Sequence, residues 1–171
     1  GKYKTTKYNF SKPIFHIRGK GLLGFTNASK IDDTQLSNIK IVTSKQFVLD
    51  TNYFMLYPDN IKIYTSNGSS FGQVSDICFS HESKKLTAYP NMPDKVFFPY
   101  QKEIFVKHYH NSTFYKTTIN NIDSYGNPTK ITQNNGNSES NMPYSETINI
   151  SYVNKTEPKR IIGLVSNRTT V

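Results

Sequence analysis

The chain has 171 residues, room for one domain, and 13% of them are aromatic: twelve Tyr and eleven Phe, with no Trp. That share excludes an ordinary disordered chain, and a hydrophobic content of only 35% suits thin sheets whose aromatics pack across strands. The net charge is +9, but only three of the 21 cations are Arg, the residue favoured for bidentate phosphate recognition, so no nucleic-acid partner is expected.

The charge is concentrated at one end. Residues 1 to 30 carry Lys2, Lys4, Lys7, Lys12, Arg18, Lys20 and Lys30 and no acid. Lysines on exposed strands guard sheet edges against unwanted pairing, which accounts for them without a ligand. One cysteine, Cys78, excludes an internal disulfide, and its place in a strand-like run predicts a buried, inert thiol. No apolar run is long enough for a membrane span. Gly1, followed directly by a polar strand, reads as a cut end, so the chain is expected to be a fragment of a much longer one.

The elements follow in chain order. Gly19, Gly21 and Gly24 predict a bend, with Leu22, Leu23 and Phe25 anchoring it. Asp32 to Ser37 offers one short helical turn, and Ile39 to Thr43 alternates as a strand. Tyr57-Pro58-Asp59-Asn60 reads as a turn. Ile61 to Thr65 alternates cleanly and is closed by a hairpin turn at Ser66-Asn67-Gly68-Ser69. Val74 to Phe79 is strand-like. A turn at Ala88 to Pro93 follows, and two runs, Lys95 to Pro99 and Glu103 to Tyr109, bracket a kink at Pro99-Tyr100-Gln101.

The strongest local signal is the passage from Phe114 to Thr132. Phe114 to Ile122 is rich in β-branched and aromatic residues, and Thr129 to Thr132 resumes the pattern. Between them, Asp123-Ser124-Tyr125-Gly126-Asn127 is a tight corner. Asp123 can bond its own backbone two residues on, Gly126 can take positive φ, Asn127 tolerates the left-handed region, and Pro128 bars a helix. Gln133 to Met142 is expected to be a loop with a turn at Asn134 to Asn137, and Thr147 to Val153 is a last alternating strand. The pattern predicts a single all-β domain over 1–171. It would be an antiparallel sheet of long hairpins with about ten strands, shell-like or sandwich-like, with very little helix.

Catalytic chemistry finds little purchase. His108 and His110 would share one strand face and are the only weak metal candidates, with His16, His81, Glu103 or Asp123 as third ligands by type alone. Most acids sit beside turn residues, with Asp50 and Asp76 as exceptions, and no Gly-x-Ser-x-Gly elbow occurs. Gly19, Gly21 and Gly24 have the spacing of a dinucleotide fingerprint but no helix pattern after them. The expectation is no enzyme, no cofactor and no metal. The competing class is a binding module: tyrosines spread through the strands could form a surface for a cell-surface glycan or protein, against the plainer role of cross-strand packing.

Three landmarks carry a family resemblance. Arg18-Gly19-Lys20-Gly21-Leu22-Leu23-Gly24-Phe25 resembles the G-R-G-x-L-G-F signature upstream of the repeats in RHS-family proteins and in the B and C components of insecticidal toxin complexes. Asp123 to Asn127 resembles the D-x-x-G-N corner of YD repeats. Lys159 to Thr169 resembles the W-x-x-G-L-x-x-x-x-T segment leading into the repeats, with Arg160 or Ile161 where the family often has Trp. The resemblance implies a bacterial, secreted or cell-surface protein whose sheets wrap into a hollow shell around a C-terminal toxin. This segment would be wall, its partner the remainder of its own chain. Leu22, Phe25, Ile63, Phe105 and Ile148 would be packing residues, and Gly126 and Asn127 turn residues.

Overall fold

The computed structural model describes residues 4–16, 19, 21–34, 39–67, 70–86, 97–155 and 161–171. Ten strands fill them: β1 Lys4–His16, β2 Gly21–Thr34, β3 Lys40–Asp50, β4 Met55–Ser66, β5 Phe71–Lys85, β6 Phe97–His108, β7 Thr113–Ile122, β8 Pro128–Gly136, β9 Tyr144–Lys155 and β10 Ile161–Thr170. They form an antiparallel sheet whose hydrogen-bonded neighbours run in chain order from β1 to β10. No helix occurs among the described residues. The all-β, ten-stranded antiparallel architecture read from the sequence is the observed one. Neighbouring strands are consecutive in the chain, so pairing stays local in sequence.

Contacts divide the chain into two compact units. The first holds residues 1–79 and 106–112, the second 80–105 and 113–171.

In the first unit, β1 pairs with β2 from Lys4↔Thr34 to His16↔Gly21, with a register shift between Ile14 and Phe15 that leaves Leu23 as the extra residue. Gly24, beside this bulge, has φ +143°, and a Cβ there would stand 2.7 Å from Leu56 Cδ1, so the glycine lets the bulge lie against a neighbouring side chain. Pairing between β3 and β4 runs from Lys40↔Ser66 to Asp50↔Met55 and slips between Gln46 and Phe47. That slip corrects the turn read at Tyr57-Pro58-Asp59-Asn60. Pro58 stays inside β4, opposite Phe47, and Asp59 is the bulged residue. Proline's missing N–H is tolerated where a ladder is already interrupted. The true reversal is at 51–54, set by Asp50, whose Oδ1 accepts the Asn52 N–H at 2.8 Å and the Tyr53 N–H at 3.3 Å. A further slip between β4 and β5 leaves Val74 unmatched, and its carbonyl accepts the Tyr109 N–H at 2.9 Å.

The second unit contains the ladders β7–β8, β8–β9 and β9–β10. The loop expected at Gln133 to Met142 is corrected in part. Gln133 to Gly136 complete β8, and the reversal lies beyond, closed by a bridge between Ser138 and Asn141. A cross-strand partner for every residue from Lys130 to Asn135 on β9 outweighs the local turn preference of Asn-Asn-Gly. No break interrupts Phe97–His108, so the kink at Pro99 to Gln101 is also corrected. Arg18, Lys20, the residues from Gln35 to Ser37, Gly68, Ser69, the turn at Ala88 to Pro93, Lys159 and Arg160 lie outside the described residues. Asp32 to Thr34 belong to β2 rather than to a helical turn.

The core is thin. Among the described residues the buried hydrophobics are Leu86, Ile122 and Ile148, all in the second unit, and no large side chain is fully buried. Aromatic pairs such as Phe10–Phe25 (5.3 Å between ring centroids) and Phe105–Phe114 (5.8 Å) pack across the ladders. Of the anticipated packing residues, Ile148 is 5% exposed while Leu22 is 51% exposed. Alternation assigns a side chain to one face of a strand but does not decide whether anything covers that face.

Cys78 is likewise exposed, not buried. Partial desolvation pushes its pKa up, the Asn60 amide 3.2 Å from its Sγ opposes this, and nearby Asp76 adds to the rise. The folded segment 1–171 is therefore expected to react with one equivalent of dithiodipyridine, faster as pH rises through the alkaline range. A thiol reactive only after denaturation would contradict this placement.

Candidate functional site

The densest polar cluster is built on the corner between β7 and β8. Gly126 is buried with φ +95°, and its N–H reaches the Asp123 carbonyl at 3.4 Å while the Asp123 N–H donates to the Asn127 carbonyl at 2.9 Å. Asp123 holds the turn through its carboxylate. Oδ1 accepts the N–H groups of Tyr125 and Asn127, each at 2.8 Å, and Oδ2 accepts the Asn127 side-chain amide at 2.9 Å. The Lys84 ammonium adds a bond to the neighbouring Ile122 carbonyl at 2.7 Å.

A more distant residue completes the cluster. Asn154, on β9, donates its amide to Asp123 Oδ2 at 3.0 Å, and its Oδ1 accepts the Gly163 N–H at 2.9 Å. The Asn127 amide also approaches Asn154 Oδ1, at 3.3 Å. A Cβ on Gly163 would lie 2.9 Å from Asn127 Oδ1, which leaves room there for glycine alone. The second and third sequence landmarks thus meet in space, with Asn154 as the joint. The sequence pattern assigns Asn154 no part in the corner. An asparagine whose partners lie 9 and 31 residues away leaves no local signal.

Four N–H donors face the Asp123 carboxylate, so it serves the corner as a structural acceptor. Partial burial pushes its pKa up, but the bonds from the Asn127 side chain, the Asn127 and Tyr125 backbone and the Asn154 amide outweigh that, and the net pKa is lowered. A folded-state pKa below the unfolded value means the corner's contribution is complete above the ordinary Asp range and is lost as pH falls through it. Melting temperature is therefore expected to fall more steeply below about pH 4 in the wild type than in Asp123→Asn. Parallel pH curves for the two proteins would contradict it.

The other anticipated residues are dispersed. Gly19 (φ +100°) and Gly21 (φ +70°) lie at the β1–β2 reversal with Gly24, in a hairpin rather than before a helix, so the dinucleotide spacing has no structural counterpart. His108 is the last residue of β6 and His110 lies in the following turn, so the two do not share a strand face as expected; their rings stand 6.3 Å apart. Among the described residues no group of three or more His, Cys, Asp or Glu is placed to hold a metal. His16 packs edge-on against Phe54 at 4.3 Å, and Glu103 pairs with Lys116 at 3.1 Å. In the basic N-terminal region Asp32 pairs with Lys30 at 2.7 Å and accepts the Thr6 hydroxyl, so part of that charge is neutralised across the strands.

No family model and no curated protein matches this chain by sequence. Its fold does match solved structures. The crystal structure of TcdB2-TccC3-TEV matches with a TM-score of 0.76 at 11% identity, over 99% of this chain and 12% of that one. The chain therefore spans about an eighth of the length of the protein it resembles, and at this identity the likeness establishes the fold.

Proposed function

We propose that this chain is a non-catalytic segment of a β-shell, a stretch of wall in a longer RHS-like protein that encloses or presents a toxin or effector. The observation that carries this reading is the fold match to TcdB2-TccC3, a toxin-complex component, in which the shared fold is a small part of a far longer chain. Two features support it. The thin core leaves Phe71, Phe15 and Leu22 more than half exposed, as suits a sheet whose faces are completed by the rest of its own chain. The meeting of the Asp123 corner with Gly163 joins two motifs that resemble successive RHS landmarks. In this reading the protein is secreted or on the cell surface, needs no cofactor and works by exclusion.

Limited proteolysis of the full-length protein tests it. The effector portion is expected to resist protease until the β-wall is unfolded. Effector cleavage at the rate seen for the isolated effector would overturn the reading. A second reading, a tyrosine-rich binding surface, draws on the exposure of Tyr8 (61%) and Tyr144 (70%).

A further inference from the structure

The ladders of the second unit place two tyrosines in one row. Tyr115 on β7 is opposite Asn135 on β8, and Asn135 is opposite Tyr144 on β9. Directly opposed residues point to the same face, so an aromatic, an amide and a second aromatic stand side by side across three strands. Two strand widths separate the tyrosines, about 10 Å. The next row on that face, two residues along each strand, is Thr117, Gln133 and Glu146. Together the rows line an open depression of about 550 Å³, within the usual range for a small-ligand site. Tyr115 is 45% exposed and Tyr144 70% exposed, so both present ring area to it.

We propose that this row binds a neutral oligosaccharide of pyranose units. A pyranose has an apolar C–H face and a rim of hydroxyls that each donate and accept. A tyrosine ring meets the face, and the spacing leaves one ring for each of two sugars. Asn135 and Gln133 both donate and accept, which matches hydroxyls better than ions. Glu146 is the one charged residue in the two rows, because alternation puts Lys116 on the opposite face, where it pairs with Glu103, so a polyanion is disfavoured. The inference rests on the second reading, a binding surface, and is independent of the wall.

Calorimetric titration of the full-length protein with cellohexaose, xylohexaose and chitohexaose tests it. At least one is expected to bind, and Tyr144→Ala is expected to weaken it about tenfold while Tyr144→Phe, which keeps the ring, binds like wild type. Tyr144 is exposed enough that its truncation leaves melting unchanged, and equal melting temperatures confirm that the comparison is fair. Binding of none of the three sugars, or binding that Tyr144→Ala and Asn135→Ala both leave intact, would overturn the proposal. Either failure leaves the shell reading untouched, since protease protection of the effector does not depend on a sugar.

Discussion

Asp123→Ala is expected to be among the most destabilising single substitutions in the chain, costing about 3–4 kcal/mol. The carboxylate accepts two backbone N–H groups and two side-chain amides, and alanine takes this acceptor from all four, leaving the Asn127 amide only its longer bond to Asn154 Oδ1. Charge-assisted bonds of this kind are stronger than neutral ones, and these are partly buried. For a protein of this size the loss corresponds to about a 10 °C drop in melting temperature. Asn154→Ala is expected to cost less, because it removes one donor to Asp123 and the acceptor of Gly163. The double variant should fall short of the sum by about 1 kcal/mol or more, since both changes break one network. Additive effects by thermal denaturation would show that Asn154 and Asp123 act separately.

Gly126→Val comes next, with an expected cost of about 2–4 kcal/mol. Positive φ is open to glycine and strained for a β-branched residue, and a second penalty is specific to this corner. A Cβ at position 126 would stand 3.0 Å from Cγ of Phe98, with both ring Cδ atoms within 3.2 Å. Gly126→Ala meets the same ring but lacks the branched side chain, so it should fall between wild type and valine. Melting of Gly126→Val at the wild-type temperature would show that the turn is not held as described.

What the sequence made legible follows from how local each interaction is. The Asp123 corner could be read because its chemistry closes within five residues: the carboxylate, the glycine and the asparagine all act on the same turn. The same logic misled at Pro58 and at Asn134 to Gly136. There the local turn preference is real, but pairing with β3 in one case and with β7 and β9 in the other holds the residues in strands, absorbing Asp59 as a bulge. Asp50 was weighed as a catalytic acid when its role is to close a reversal, because an acid at the end of a strand carries the same letter in either role. Gly163 was visible only as part of the third landmark, and its link through Asn154 to the corner was not legible, since nothing near either residue in the chain announces Asp123. Leu22 and Cys78 show the remaining limit: strand period assigns a face, and coverage of that face depends on neighbours that the pattern does not encode.

The proposed shell role treats this sheet as one part of a larger protein. Electron cryomicroscopy of the full-length protein tests that idea most directly. The expected result is a hollow β-shell with residues 4–171 lying in its wall, one face toward the lumen and the Asp123 corner joined to the following strands. A free-standing domain on a tether, with solvent on both faces of the sheet, would contradict it.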